Sequence, residues 1–148
     1  MTSSGFPPGF IEPVLEPADV EWLAQVYLSP HLGLTPVATR VPNPKQQADT
    51  INGLLRVEAG GGSCPNSFEY DMTLLLHGYS PNEVEASQIC RTAYKWAKAA
   101  TGQSISGYYV SRVTNSIPPH RLSDPNVISL TRYRSAVTWR VPGLVGGS

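Results

Sequence analysis

Three histidines, two cysteines and a handful of carboxylates are the groups in this 148-residue chain that chemistry would call on. His31, His77 and His120 stand far apart, and none has a second ligand at metal-binding spacing. His77, beside Gly78 near an expected strand end, reads as a structural histidine rather than a base. Two cysteines are too few for a disulfide scaffold or a structural zinc site, so Cys64 and Cys90 read as reduced thiols in a reducing compartment. Asp71 belongs on the outside of a strand and Glu83 and Glu85 in the first turn of a helix, which leaves no motive for pairing them as acid and base. Gly60-Gly61-Gly62 lacks the Lys-Ser/Thr and the following helix that a phosphate-binding loop needs. No H-E-x-x-H, G-x-S-x-G or C-x-x-C motif occurs. The expectation is a protein that is not an enzyme, with no catalytic residue, cofactor or metal.

Arginine is the other group with something to offer. Alternation along the last expected strand sends Arg132, Arg134 and Arg140 to one face, where Arg56 or Arg112 from other strands can join them. Two readings stand side by side. The face is a solvated exterior, or it is a subunit or lumen surface where the fixed fork of a guanidinium meets carboxylate or phosphate. On the second reading the candidate assembly residues are these five arginines together with Gly60, Gly61 and Gly62.

The elements that must position these residues follow from period and punctuation. Residues 5–17 carry four prolines and two phenylalanines, which predicts an extended segment. It is either a disordered leader or an arm whose Phe6, Phe10 and Ile11 dock on a neighbour. A helix is expected from Pro17 to Leu28, with Val20, Leu23, Ala24 and Tyr27 as its core stripe. Val37–Val41 and 51–59 read as strands; in the second, Leu55 and Val57 share a face with Ile51 and Gly53. Gly60 to Asn66 is expected to form the mobile tip of a long hairpin that returns over 67–78, with Phe68, Tyr70, Met72, Leu74 and Leu76 facing one way. Near Leu75 both faces turn apolar, which predicts a central, covered strand end. A second helix opens at Ser80-Pro81 and ends at Thr101-Gly102, with the small-residue stripe Ala86, Ile89, Cys90, Ala93, Ala97 and Ala100. Strands at 107–115 and 129–141 flank a loop containing Pro118-Pro119. Tyr94, Trp96 and Tyr108 are either core residues or the lining of a small-ligand pocket between the second helix and the sheet.

This order predicts an α+β domain: a mainly antiparallel sheet of about four to five strands with a long hairpin, and two main helices on one face. The domain spans 17–141, between an extended proline-rich arm at 1–16 and a flexible tail at 142–148. Only 15% of residues are charged and the formal net charge is zero, so no bulk field attracts nucleic acid or an anionic membrane. The low charge hints that part of the surface is buried against partners. Met1-Thr-Ser-Ser-Gly-Phe has neither the basic region nor the apolar run of a signal peptide, and no apolar stretch approaches a membrane span. A soluble protein made in the cytoplasm is expected.

One family shares this arrangement. Asp19-Val20-Glu21-Trp22-Leu23, then Thr39-Arg40-Val41-Pro42, then a hairpin from Leu54-Leu55-Arg56-Val57-Glu58 to Tyr70-Asp71-Met72-Thr73-Leu74-Leu75 lead to an Ala-rich helix with Glu85-Ala86 and Arg91. The chain closes on Asp124-Pro125 and Leu130-Thr131-Arg132-Tyr133-Arg134-Ser135-Ala136-Val137-Thr138-Trp139. Across roughly 17–141 this resembles the tail-terminator (tail-completion) proteins of siphophages, as in phages of actinobacteria. The resemblance implies a structural virion protein at the neck end of the tail, forming a hexameric ring that caps the tail tube, stops its polymerisation and joins it to the head. The implied partners are the chain itself, the tail tube protein and the head-tail connector or stopper protein. No membrane and no sequence-specific nucleic acid are implied, although DNA passes through such a lumen. Other small β-rich neck and tail subunits, a head-tail stopper or a tube protein, are the alternative.

Overall fold

The computed structural model describes residues 15–40, 53–66, 68–122 and 130–145. Its centre is a five-stranded sheet in the order β2-β3-β4-β8-β7, built from β2 (Val37–Ala38), β3 (Leu54–Ser63), β4 (Glu69–Ser80), β7 (Arg112–Leu122) and β8 (Thr131–Pro142). All neighbours are antiparallel except β2 and β3, which run parallel over Val37↔Leu55 and Ala38↔Arg56. Helices α1 (Val20–Leu28) and α2 (Glu83–Lys98) cover one face. The fold is α+β, as the alternation and helical stripes require.

Each helix forms where the chain supplies a cap. Asp19 accepts the amide of Trp22 (3.2 Å), so α1 begins at Val20 and Pro17 lies outside it. Asn82 accepts the amides of Val84 and Glu85, Glu83 and Glu85 occupy the first turn of α2, and Lys95 and Lys98 its last. Gly102, at φ +83, makes the turn after this helix. The small-residue stripe of α2 is buried throughout, and Gly78 of β4 lies directly beneath it. A Cβ on Gly78 would stand 2.6 Å from the Ala86 carbonyl oxygen and 2.9 Å from the Cys90 nitrogen. The helix therefore reaches the sheet only because residue 78 has no side chain.

Leu23, Ala24 and Leu28 of α1 and Ala93 and Ala97 of α2 close on Leu55, Val57, Leu74, Leu76, Val137 and Trp139 in one core. Trp139 is wholly buried and donates its indole N–H to the Ala97 carbonyl at 2.9 Å. β4 is the middle strand and buried from Leu76 to Ser80, as the doubly apolar pattern there predicts. A smaller cluster of Leu54, Tyr79 and Leu130 caps that end on the opposite face.

Several boundaries differ from the expectation. The glycine run is not a mobile tip: β3 continues through it to Ser63, pairing Gly62 with Met72 and Ser63 with Asp71. Gly61, at φ +89, supplies the register shift after Ala59, and Gly62 passes so near the Asp71 carbonyl that no Cβ fits. The turn proper is fastened by Asn66, whose side-chain oxygen accepts the amides of Phe68 and Glu69. Phe68 is 70% exposed rather than in the core, because the return strand begins only at Glu69 and continues to Ser80. Pro118 and Pro119 lie inside β7, not in a loop; β7 is an edge strand, and its register shifts between Ile117 and His120, where the missing amides cost no pairing. Residues 107–111 hold only the two-residue β6 (Tyr108–Tyr109), paired with β5 (Ser104–Ile105). The first short strand stops at Ala38. β1 (Leu15–Glu16) pairs with β9 (Leu144–Val145), so strand pairing extends beyond 17–141 at both ends. The expectations on Phe6, Phe10, Ile11, Val41–Pro44, Ile51 and Asp124-Pro125 fall outside the described residues.

Candidate assembly face

Register places every arginine singled out in the sequence on the sheet face away from the helices. Arg56 pairs across to His77, His77 to Arg134 and Arg134 to His120, a row running over β3, β4, β8 and β7. Arg132 lies beside Tyr79 one step along, and Arg140 lies between Asp71 and Arg112 toward the hairpin end. Alternation adds Glu58, Glu69 and Asp71 to the same face, so its described strand residues carry five arginines against three carboxylates. No described helix packs there.

The carboxylates hold part of this charge. Arg140 makes a bidentate pair with Asp71, Nε to Oδ1 at 2.8 Å and Nη2 to Oδ2 at 3.0 Å. That hydrogen bonding, with the Arg140 and Arg112 charges, holds the Asp71 carboxyl below its usual range against the opposing effect of burial. Glu58 accepts from His77 Nε2 at 3.0 Å and from Arg56 at 3.2 Å. Burial pushes Glu58 up, but His77 and Arg56 outweigh it and keep the carboxyl below its ordinary value. His77 is almost wholly buried, and burial pulls its pKa down in spite of Glu58. It is therefore neutral near pH 7, with its proton on Nε2, since only that tautomer donates to the carboxylate.

Arg134 stands apart. It lies between His77 and His120 in the row and has no hydrogen bond or ion pair among the described residues. Exposed Arg112 and Ile117, the latter 54% exposed, lie on the same face. The result is a surface with a paired, part-buried framework and a cationic, partly apolar centre.

Two of the three glycines are elsewhere. Gly61 and Gly62 line a groove of about 670 Å³ between the start of α1 and the outer half of β3, together with Ala18, Val20, Cys64 and Met72. Glu21 accepts the outward amide of Ala59 at 2.8 Å, tying α1 to that strand. Gly60 instead meets the Leu75 side chain on the arginine-bearing face, so the glycine run is divided between the two regions.

Cys90 is buried with its thiol pKa raised by burial, and Cys64 is exposed; both are free thiols. Glu83 accepts from Arg121 and Tyr133, fastening the start of α2 to β7 and β8. His31 stacks on Trp96 at 3.9 Å, and Tyr94, Trp96 and Tyr108 pack against the core. His77 and Glu58 form an imidazole–carboxylate pair, yet Nδ1 is buried without a hydrogen-bond partner, so no nucleophile meets it among the described residues. Among those residues no cluster of three His, Cys, Asp or Glu could hold a metal ion, and no helix is long and apolar enough to cross a membrane.

Glu58 and the Asp71–Arg140 pair escaped the sequence reading. Parity shows that Arg56 and Glu58 share a face, but cross-strand partners need the register, which three bulges and turns obscure. No family model matches the chain, and a search of curated proteins finds no relative.

Proposed function

We propose that the chain is a structural subunit of a phage tail, forming a ring that caps the tail tube, ends its polymerisation and joins it to the head connector. The observation that carries the reading is the sheet face on which no described helix packs, with five arginines, an Arg134 that has no hydrogen bond or ion pair among the described residues, and an exposed Ile117. Such a face suits a fixed protein partner better than a small substrate, because its five arginines spread over three strands and converge on none of the described pockets. The resemblance in element order and in the Arg132-Tyr133-Arg134 strand gives the assembly its name. On this reading the protein resides at the neck end of the virion tail and its partners are further copies of itself, the tube protein and the connector.

The test is electron microscopy of the purified chain alone and mixed with assembling tube subunits. Rings in isolation, and tubes of limited length with a ring at one end, are expected. Long filaments of the chain alone would identify a tube subunit instead. Unchanged tubes with no bound ring would overturn the reading.

A further inference from the structure

We infer that copies join head to tail, with the outer stripe of α1 in one copy seated on the arginine-bearing sheet face of the next; this rests on the assembly reading above. α1 is amphipathic, but its outward side is not wholly polar. Trp22 is 47% exposed and Val26 41% exposed, one turn apart on the same side of the helix. From Pro17 to Pro30 there is no lysine or arginine, while Asp19 and Glu21 lie beside Trp22. Each of these carboxylates is held by an internal bond through one oxygen, Asp19 to the Trp22 amide and Glu21 to the Ala59 amide, which leaves the other oxygen for a partner. An acidic, aromatic ridge of this kind is the complement of a cationic surface with an apolar spot.

The arginine-bearing sheet face, on which no described helix packs, is that surface. Its described strand residues carry two more positive than negative charges, five arginines less three carboxylates, while α1 with its cap carries two carboxylates, Glu21 and Asp19, and no cation. Trp22 offers a ring for an arginine to stack on and an anchor of the type that dominates interfaces. Ile117 gives Val26 an apolar counterpart. The two patches lie on opposite sides of the sheet, so one copy cannot satisfy its own. A contact between unlike patches is heterologous and closes into a ring when its rotation permits. The occupant of each arginine face is thus α1 of a second copy.

Mixing two defective variants tests the geometry. Trp22→Ser disables the ridge and leaves the arginine face; Arg134→Glu disables the face, by opposing Asp19 and Glu21, and leaves the ridge. Val26→Ser serves as an independent ridge variant should Trp22→Ser perturb the fold, which melting and circular dichroism report. Wild-type protein should form rings, and each variant alone should be monomeric, with self-association weakened roughly tenfold or more. A one-to-one mixture should form a heterodimer and go no further, because only one intact contact remains. If wild-type rings form and both variants still form them, the contact is wrong while the assembly reading stands. If the mixture stays monomeric or regains rings, the two patches do not meet. If wild-type protein is monomeric throughout, the contact and the assembly reading fall together.

Discussion

The two faces of the same sheet are built to opposite rules. On the helix side Leu74, Leu76, Val137, Trp139 and Val141 are wholly buried, and the closest layer contact runs through a glycine. On the other side the same strands present Arg56, Arg112, Arg132, Arg134 and Arg140, some tied to carboxylates and one free of any described partner. Adjacent residues of β8 belong to different tasks: Trp139 to folding, Arg140 to the framework of a surface. Substitutions on the first face should therefore be read in stability, and those at the centre of the second in association.

The largest effect is expected at Trp139. Trp139→Ala removes a wholly buried indole and its bond to Ala97, and should cost about 3–5 kcal/mol in urea unfolding. Gly78→Ala, which sets a methyl group against the backbone of α2, should cost about 1–3 kcal/mol and lower the melting temperature. On the arginine-bearing face Asp71→Ala strands the part-buried guanidinium of Arg140 and should cost about 1–2 kcal/mol; Arg140→Lys, with Asp71 retained, should also lose stability because a lysine cannot reproduce the bidentate pair. Arg134→Glu should change monomer stability by no more than about 0.5 kcal/mol while abolishing association, the outcome that separates the two faces most sharply. A loss of stability at Arg134 equal to that at Asp71 would erase the distinction.

The smallest effect is a pH dependence. The pKa of His77 is lowered by folding, so the unfolded chain binds its proton more readily, and stability falls as pH drops below the unfolded value near 6.5. Glu58 and Asp71, also lowered on folding, add stability that is present above about pH 4 and is lost as pH falls through their folded values. His77→Gln should flatten the slope between pH 7 and pH 5 and leave the part of the acid limb that Asp71 supplies, as measured by unfolding at a series of pH values.

Much of this division was legible in the sequence. Alternation along 129–141 sorted Arg132, Arg134 and Arg140 from Val137, Trp139 and Val141 correctly, because a strand's period of two is insensitive to errors in its ends. The small-residue stripe of α2 likewise named its buried face without error. The glycine run misled, since three glycines carry no side-chain pattern and only the backbone shows that Gly61 makes a bulge and Gly62 a close approach. The prolines of β7 misled for a related reason: proline forbids a central strand but not an edge, and strand order is a property of the whole sheet. Pairings such as Asp71–Arg140 and Glu58–His77 were invisible because they join strands whose register is fixed by those same irregular turns.

The central claim is that the open face of a single copy is completed by another copy. Light-scattering mass of the purified full chain, across micromolar concentrations and in low and high salt, tests it most directly. The account predicts one closed species of fixed stoichiometry, with a hexamer expected, that loosens as salt screens the arginines. A monomer at every concentration and salt would contradict it.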